Sequence, residues 1–227
     1  MAYILTIETS TEVCSAALFK NDQLVAHKEE GGQYSHAEKL AVFIESLFQE
    51  SELTPQDLSA VAVSRGPGSY TGLRIGVSMA KGLCFALNIP LISIDTLKSM
   101  AWGLAHIKME KALLCPMIDA RRMEVYAALF TSSLENIKAV EAIVVEPHFL
   151  QKELEENDVY IFGNGAEKCV PVLNNPNLKY IENQHPSASK MGELAMEKFS
   201  RNHFEDVAYF EPFYLKDFIA IKGKKLV

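Results

Sequence analysis

The 227 residues pair no two cysteines at CxxC spacing, and no run of about 20 apolar residues is free of charge. The four cysteines, Cys14, Cys84, Cys115 and Cys169, sit singly among apolar or small residues. That pattern excludes a zinc knuckle or disulfide framework and predicts buried, reduced thiols. The missing apolar run excludes a membrane span. Base is in deficit, with 22 Lys and Arg against 29 Asp and Glu and a formal net charge of -7. A chain that clamps nucleic acid unaided needs clustered cations, and the one cluster here is the terminal Lys-Gly-Lys-Lys at 222–225, read as a solvated tail. The six histidines, at 27, 36, 106, 148, 185 and 203, show no metal-ligand spacing, and no H-E-x-x-H occurs. The start, MAYILTIETS, lacks a basic stretch and has too short an apolar run for a signal peptide, so a soluble, cytoplasmic protein with no membrane partner is expected.

The apolar fraction of 48% supports a substantial core. Residues 3–8, 14–20 and 23–30 alternate and are rich in β-formers, with Asn-Asp as a turn between the second and third, and they predict an antiparallel meander. Residues 35–51 carry Ala37, Leu40, Ala41, Phe43, Ile44, Leu47 and Phe48 on one arc of a helix, with Ser35 and Glu38 as a capping box. The run AVAVSR at 60–65 suits a buried parallel strand. A helix over 71–88, a strand over 90–94 and a helix over 95–107 follow. This β-β-β-α-β-α-β-α order suits a ribonuclease-H-like sheet. It is loosely repeated by strands at 112–119, 123–130, 138–146 and 158–163 with helices at 147–154, beyond 163 and at 187–201. Two lobes are therefore expected, 1–108 and a degenerate 109–227.

Four glycines and a proline crowd residues 64–76, SRGPGSYTGLRIG. The stretch lacks the closing Lys and Ser/Thr of a P-loop, and its glycines miss the dinucleotide fingerprint by one position. Pro67 removes an N–H from any phosphate cradle. A tight strand-to-helix turn capped by Ser69 or Thr71 is the local reading; the spacing is also wrong for a serine nucleophile elbow. The helix that follows is apolar or small nearly all round. Arg74, Ser78, Lys81 and Phe85 share one side, and Gly72, Gly76 and Ala80 form a ridge at four-residue spacing. Such a helix is either central in its lobe or covered by a partner chain. Arg74, a cation in the first turn, opposes the helix dipole and predicts a carboxylate partner, within the chain or across an interface.

GPGSYTGLRIG, with ILTIETST at the start and DARRMEVYAALF at 119–130, resembles the bacterial TsaB (YeaZ) family. FGNGAE and EPFYLKD fit it further on. The resemblance implies an α/β fold of the actin/hexokinase/Hsp70 type with two ribonuclease-H-like lobes. It implies a role in forming N6-threonylcarbamoyladenosine beside the tRNA anticodon, as the non-catalytic partner of a TsaD-like subunit, joined by a TsaE-like ATPase. It places the interface on helices 35–51 and 71–88, hence at Ser35, His36, Leu40, Tyr70, Thr71, Gly72, Leu73, Arg74, Gly76, Val77, Ala80 and Lys81. Replacing Gly76 with Leu is then expected to abolish pairing and spare the fold. Self-pairing through the same helices is expected when the partner is absent.

No catalytic residue, cofactor or metal is assigned to this chain; ATP or ADP and the metal are expected on the partner subunits, and tRNA is met through the complex. The positions matching the H-x-x-x-H pair of TsaD-like proteins are Thr96 and Met100, which suit no iron or zinc site. Glu8 and Thr9 persist at the first hairpin without a glycine in the turn. In DARRM, Arg121 and Arg122 either crowd a phosphate hairpin or attract phosphate. Asp119 and Glu124 read as turn and strand residues, and GNGAE at 163–167 as a remnant of the adenosine-side loop. The alternative kept open is an independent ATPase or kinase of the same fold resting on Glu8 and the Gly163/Gly165 loop, with a glycoprotease-like peptidase behind it.

Overall fold

The computed structural model of the protein describes residues 1–32, 36–105 and 112–216. Its first sheet is built from β1 (Tyr3–Glu8), β2 (Val13–Lys20) and β3 (Gln23–Gly31), then β4 (Ala60–Gly66) and β5 (Leu91–Asp95), in spatial order β3-β2-β1-β4-β5. The first three strands are the expected antiparallel meander, and β4 lies parallel to both β1 and β5. Strand β4 is buried along nearly its whole length, which explains why it reads as an unbroken apolar run rather than an alternating one.

Alternation along β1 divides the core. Leu5 and Ile7 face α1 (His36–Ser51) and α2 (Tyr70–Leu87), whereas Ile4 faces the opposite layer. Ser35, expected to cap α1, lies outside the described residues. Helix α2 runs one residue ahead of the expected 71–88 and stops at Asn88, which takes the left-handed conformation that ends helices cheaply.

The second sheet repeats the first strand for strand. It comprises β6 (Ala112–Asp119), β7 (Glu124–Thr131), β8 (Asn136–Val144), β9 (Asp158–Phe162) and β10 (Leu178–Ile181), in the order β10-β9-β6-β7-β8 with the same parallel and antiparallel pairings. Its covering helices are shrunken: α4 (Gln151–Glu156) has 6 residues and α5 (Val170–Leu173) has 4, where α1 and α2 have 16 and 18. That is the physical content of a degenerate second lobe. The helix expected at 147–154 starts later because Leu150 is left-handed. Strand β10 carries no sequence signal: all four of its residues are half-buried, so nothing alternates.

Two helices cross between the sheets. Helix α3 (Thr96–Ala105) packs Leu97, Met100, Ala101 and Leu104 against Leu114, Ile118, Ala128 and Phe162 of the second sheet. Helix α6 (Gly192–Ser200) packs Leu194 and Ala195 against Ile4, Ala62 and Ile92 of the first. The segments 1–108 and 109–227 thus each lend a helix to the other's sheet. The expected boundary near 108–111 lies outside the described residues.

After α6 the chain runs back over the first lobe as an irregular strap. Glu205 N donates to Leu91 O at 2.8 Å, Lys81 Nζ donates to Ala208 O and Phe210 O at 3.1 and 2.9 Å, and Phe213 N donates to Arg65 O at 2.7 Å. Lys216 then pairs with Glu124 of β7. Among the described residues no helix is long and apolar enough to cross a membrane.

Candidate functional site

The glycines of the 64–76 stretch receive the chain's own first hairpin. A Cβ on Gly68, Gly72 or Gly76 would lie within 3.0 Å of Ser10 O, Thr9 O or Thr9 Oγ1 respectively, closer than real Cβ atoms come. Thr9 Oγ1 donates to Gly72 O at 2.8 Å, and Ser69 N donates to Ser10 O at 2.6 Å. Ser69 caps α2 by accepting from Gly72 N at 3.3 Å. The loop is therefore a clamp on the turn after β1, and the space left by its missing side chains is filled by the Ser10 and Thr9 backbone and the Thr9 hydroxyl.

The positions expected at an interface divide by burial. Gly72, Leu73, Gly76, Val77 and Ala80 are buried in the lobe's own core, as is Leu40 of α1, and none has surface to present. The reason is Thr9, which needs the glycine notch to reach α2. Gly76→Leu would therefore break the lobe before it could report on pairing. Of the other expected positions, Thr71 and Arg74 are exposed, and His36, Tyr70 and Lys81 are half-buried. Lys81 is engaged by the strap.

The outward side of α2 is the opposite ridge. Arg74, Ser78 and Gly82 are exposed at four-residue spacing, flanked by half-buried Ile75, Met79 and Leu83. Phe85 follows, 84% exposed. Between α1 and α2 runs a groove in two parts. One, of about 730 Å³, is lined by Ala37, Tyr70, Arg74, Ile75, Ser78, Met79, Gly82 and Leu83; the other, of about 390 Å³, by Ala41, Ile44, Glu45, Phe48, Leu53, Met79 and Leu83. A Cβ on Gly82 would meet nothing within 4 Å. Glycine inside a helix costs about 1 kcal/mol against alanine, and no neighbour among the described residues accounts for it here.

Arg74 does not meet a carboxylate among the described residues. Its guanidinium lies 4.4 Å over the ring of Tyr70, which also meets the ring of Tyr214 in the strap, at 4.9 Å. The stack leaves the cation's outer side toward the groove.

The positions examined for catalysis are occupied by core contacts. Thr96 is wholly buried with its hydroxyl 2.6 Å from Ser64 Oγ, and Met100 is packed in the α3 core. Among the described residues no three His, Cys, Asp or Glu side chains are grouped to hold a metal ion. Glu8 is fully buried; Ser10 N donates to its Oε1 at 2.6 Å, while Oε2 has no hydrogen-bond partner among the described residues. Burial pushes this carboxyl above its ordinary range, against the opposing pull of the hydrogen bonds from Ser10 and Ser64.

A cleft of about 870 Å³ opens between the sheets, lined among others by Ser10, Ser69, Thr71, Asp119, Arg121, Asn164 and Tyr214. At its second-sheet wall, Arg121 and Arg122 both sit in the left-handed region, with φ of 73° and 50°, so the β6–β7 turn has the twist of a tight hairpin without its usual glycine. Asp119 ends β6 and is paired with Lys168, and Glu124 opens β7 and is paired with Lys216, so the residue expected in the turn lies at a strand end. The Gly163–Gly165 loop leaves β9 as Gly66–Gly68 leaves β4. Gly165 lies against the Ile118–Asp119 backbone, and Asn164 Oδ1 accepts from Asp119 N at 3.0 Å.

Residues 17–223 match the family model described as TsaD, tRNA N6-adenosine threonylcarbamoyltransferase. The tRNA threonylcarbamoyladenosine biosynthesis protein TsaB of Escherichia coli is 30% identical over 226 residues, covering 96% of both chains. The TsaB of Bacillus subtilis is 37% identical over 127 residues, covering 56% of this chain and 54% of that one. Among solved structures, an uncharacterized Pseudomonas aeruginosa protein with similarity to peptidase YEAZ superposes with a TM-score of 0.84 at 25% identity, over 95% of this chain and 100% of its own. With its paired five-stranded sheets, its clamped glycine loop and relatives that align from end to end, the chain belongs to the TsaB (YeaZ) family.

Proposed function

We propose that this chain acts in the biosynthesis of threonylcarbamoyladenosine in tRNA as a non-catalytic subunit, and that its α1/α2 face docks a TsaD-like catalytic subunit. The pathway assignment is supported by family membership, through a relative so described that spans 96% of the chain. A TsaE-like ATPase joins the pair. ATP or ADP and the metal sit on the partner subunits, and tRNA is met through the assembled complex. Without its partner, the same face pairs two copies of the chain.

The observation that carries the docking reading is Gly82. It stands in the interior of α2, exposed, in open space, between apolar side chains and beside Phe85. A helix keeps such a gap where another backbone comes close. Co-elution of the purified chain with the TsaD-like subunit of the same organism tests it. Gly82→Ala should weaken co-elution, because a methyl group intrudes where the partner backbone approaches. Gly82→Arg should lose the partner with no drop in thermal stability, since the position is unfilled. Undiminished co-elution of Gly82→Arg would sink the docking reading.

The second reading, an ATPase of the same fold, is favoured by the inter-sheet cleft and the buried Glu8. It requires magnesium-dependent ATP turnover by the isolated chain that disappears in Glu8→Ala. Turnover that survives in Glu8→Ala, or none at all, removes it.

A further inference from the structure

The groove between α1 and α2 is apolar along its length but carries one charge in each part, Arg74 in the first and Glu45 in the second. Met79 and Leu83 are shared between the parts, so the two charges stand at opposite ends of one continuous face. Among the described residues neither is neutralised. Arg74 rests on the Tyr70 ring, and Glu45 accepts a 3.4 Å hydrogen bond from the amide of Gln49, one helical turn on. Exposed as they are, both ions are solvated while the face is free.

Docking changes that. A helix laid against Gly82 and Leu83 excludes water from the groove, and an ion stripped of water without a counter-ion opposes binding more strongly than neighbouring apolar contacts favour it. The stacked guanidinium therefore needs a counter-ion from the docked surface. Its planar donors are already ordered by the ring beneath, so little side-chain entropy remains to be lost on pairing.

Resting on the docking reading above, we propose that the partner's facing surface is charge-matched to this groove, with a carboxylate set against Arg74 and a basic side chain set against Glu45. A twofold axis running across the groove would bring the Arg74 end of one face against the Glu45 end of a like face, which is the arrangement such matching requires. The two pairs fix the register of the helices, which the apolar contacts and the glycine gap alone would allow to slide.

The experiment measures dissociation constants for the chain and the TsaD-like subunit, in low and high salt, for Arg74→Glu, Arg74→Met, Glu45→Lys and Gly82→Arg. Both charge reversals should weaken pairing, on the order of a hundredfold at low salt, and the loss should shrink as salt rises. Arg74→Met, which keeps the stem and removes the charge, should weaken it by about tenfold. One acid-to-Arg replacement on the partner's facing helices should restore binding to Arg74→Glu. If Gly82→Arg loses the partner while both reversals bind as the unaltered chain does, the charge matching is wrong and the docking face stands. If Gly82→Arg also binds normally, both fall. None of the four variants should unfold markedly earlier than the unaltered chain, since these positions are exposed, and Gly82→Arg should unfold later because it removes a glycine from the helix interior.

Discussion

Thr9 Oγ1 occupies the space that a Cβ on Gly76 would need, and from there donates to Gly72 O at 2.8 Å. Strand and helix are locked by that one side chain. Gly76→Ala should cost about 2–3 kcal/mol in urea unfolding, as overpacking does. Thr9→Ala should cost about 1 kcal/mol for the lost hydrogen bond. The double variant should be clearly more stable than the sum of the two losses implies, because without Oγ1 the next contact, Thr9 Cβ, stands at 3.4 Å. Strict additivity would show that the notch is not what Thr9 requires.

Glu8 gives a pH signature. Its folded-state carboxyl titrates above the ordinary 4.5, mainly through burial, so the folded chain binds the extra proton. The stability this confers is complete below pH 4.5 and is lost as pH rises through the folded value. Glu8→Gln should therefore melt higher than the unaltered chain at pH 7.5, with the gap closing toward pH 4.5. A gap that stays constant with pH would contradict a buried, reluctant carboxylate.

Glu29 behaves in the opposite sense. Burial works to raise it, but hydrogen bonds with His27, Ser187 and His185 outweigh this and hold it at about 2. His185 Nε2 lies 2.6 Å from Glu29 Oε1, tying the segment before α6 to β3. The resulting stability is present above pH 4.5 and is lost as pH falls toward about 2. Glu29→Gln should destabilise at pH 7, and the difference should narrow in acid. Amide exchange at residues 185–190 should quicken in the variant. Unchanged exchange there would assign the contact no role in holding the segment.

All four cysteines are buried and unpaired. Burial pushes the Cys14, Cys84 and Cys169 thiols up to about 11 and raises Cys115 as well. At pH 8 the native chain should be inert to a disulfide reagent and should release four thiols only on unfolding. Rapid labelling of even one in the native state would place it in an accessible pocket.

Much of this architecture was legible beforehand, and the exceptions share a cause. The meander, the buried β4 and the outward side of α2 at Arg74, Ser78 and Phe85 follow from local pattern. The ridge that contacts the sheet did not. A helix apolar nearly all round offers two ridges of similar composition, and only the approach of Thr9, a residue 63 positions from Gly72, decides between them. The readable sign was the glycine with the wrong phase: Gly72 and Gly76 share a ridge and Gly82 leaves it, so one explanation could not serve all three. Among the described residues Arg74 meets the ring of Tyr70, four residues upstream and therefore on the same face, and not a carboxylate. Strand β10 and the crossing of α3 and α6 are set by tertiary partners alone.

That crossing bears on how the molecule can be taken apart. Cut between 105 and 112, each half would carry a helix shaped for the other and would leave one side of its own sheet bare. Severed halves should therefore be sticky alone and soluble when mixed, and the intact chain should melt in a single step despite its two sheets. The duplication visible in its strand order has become a mutual dependence, in which neither copy retains the parts to stand by itself.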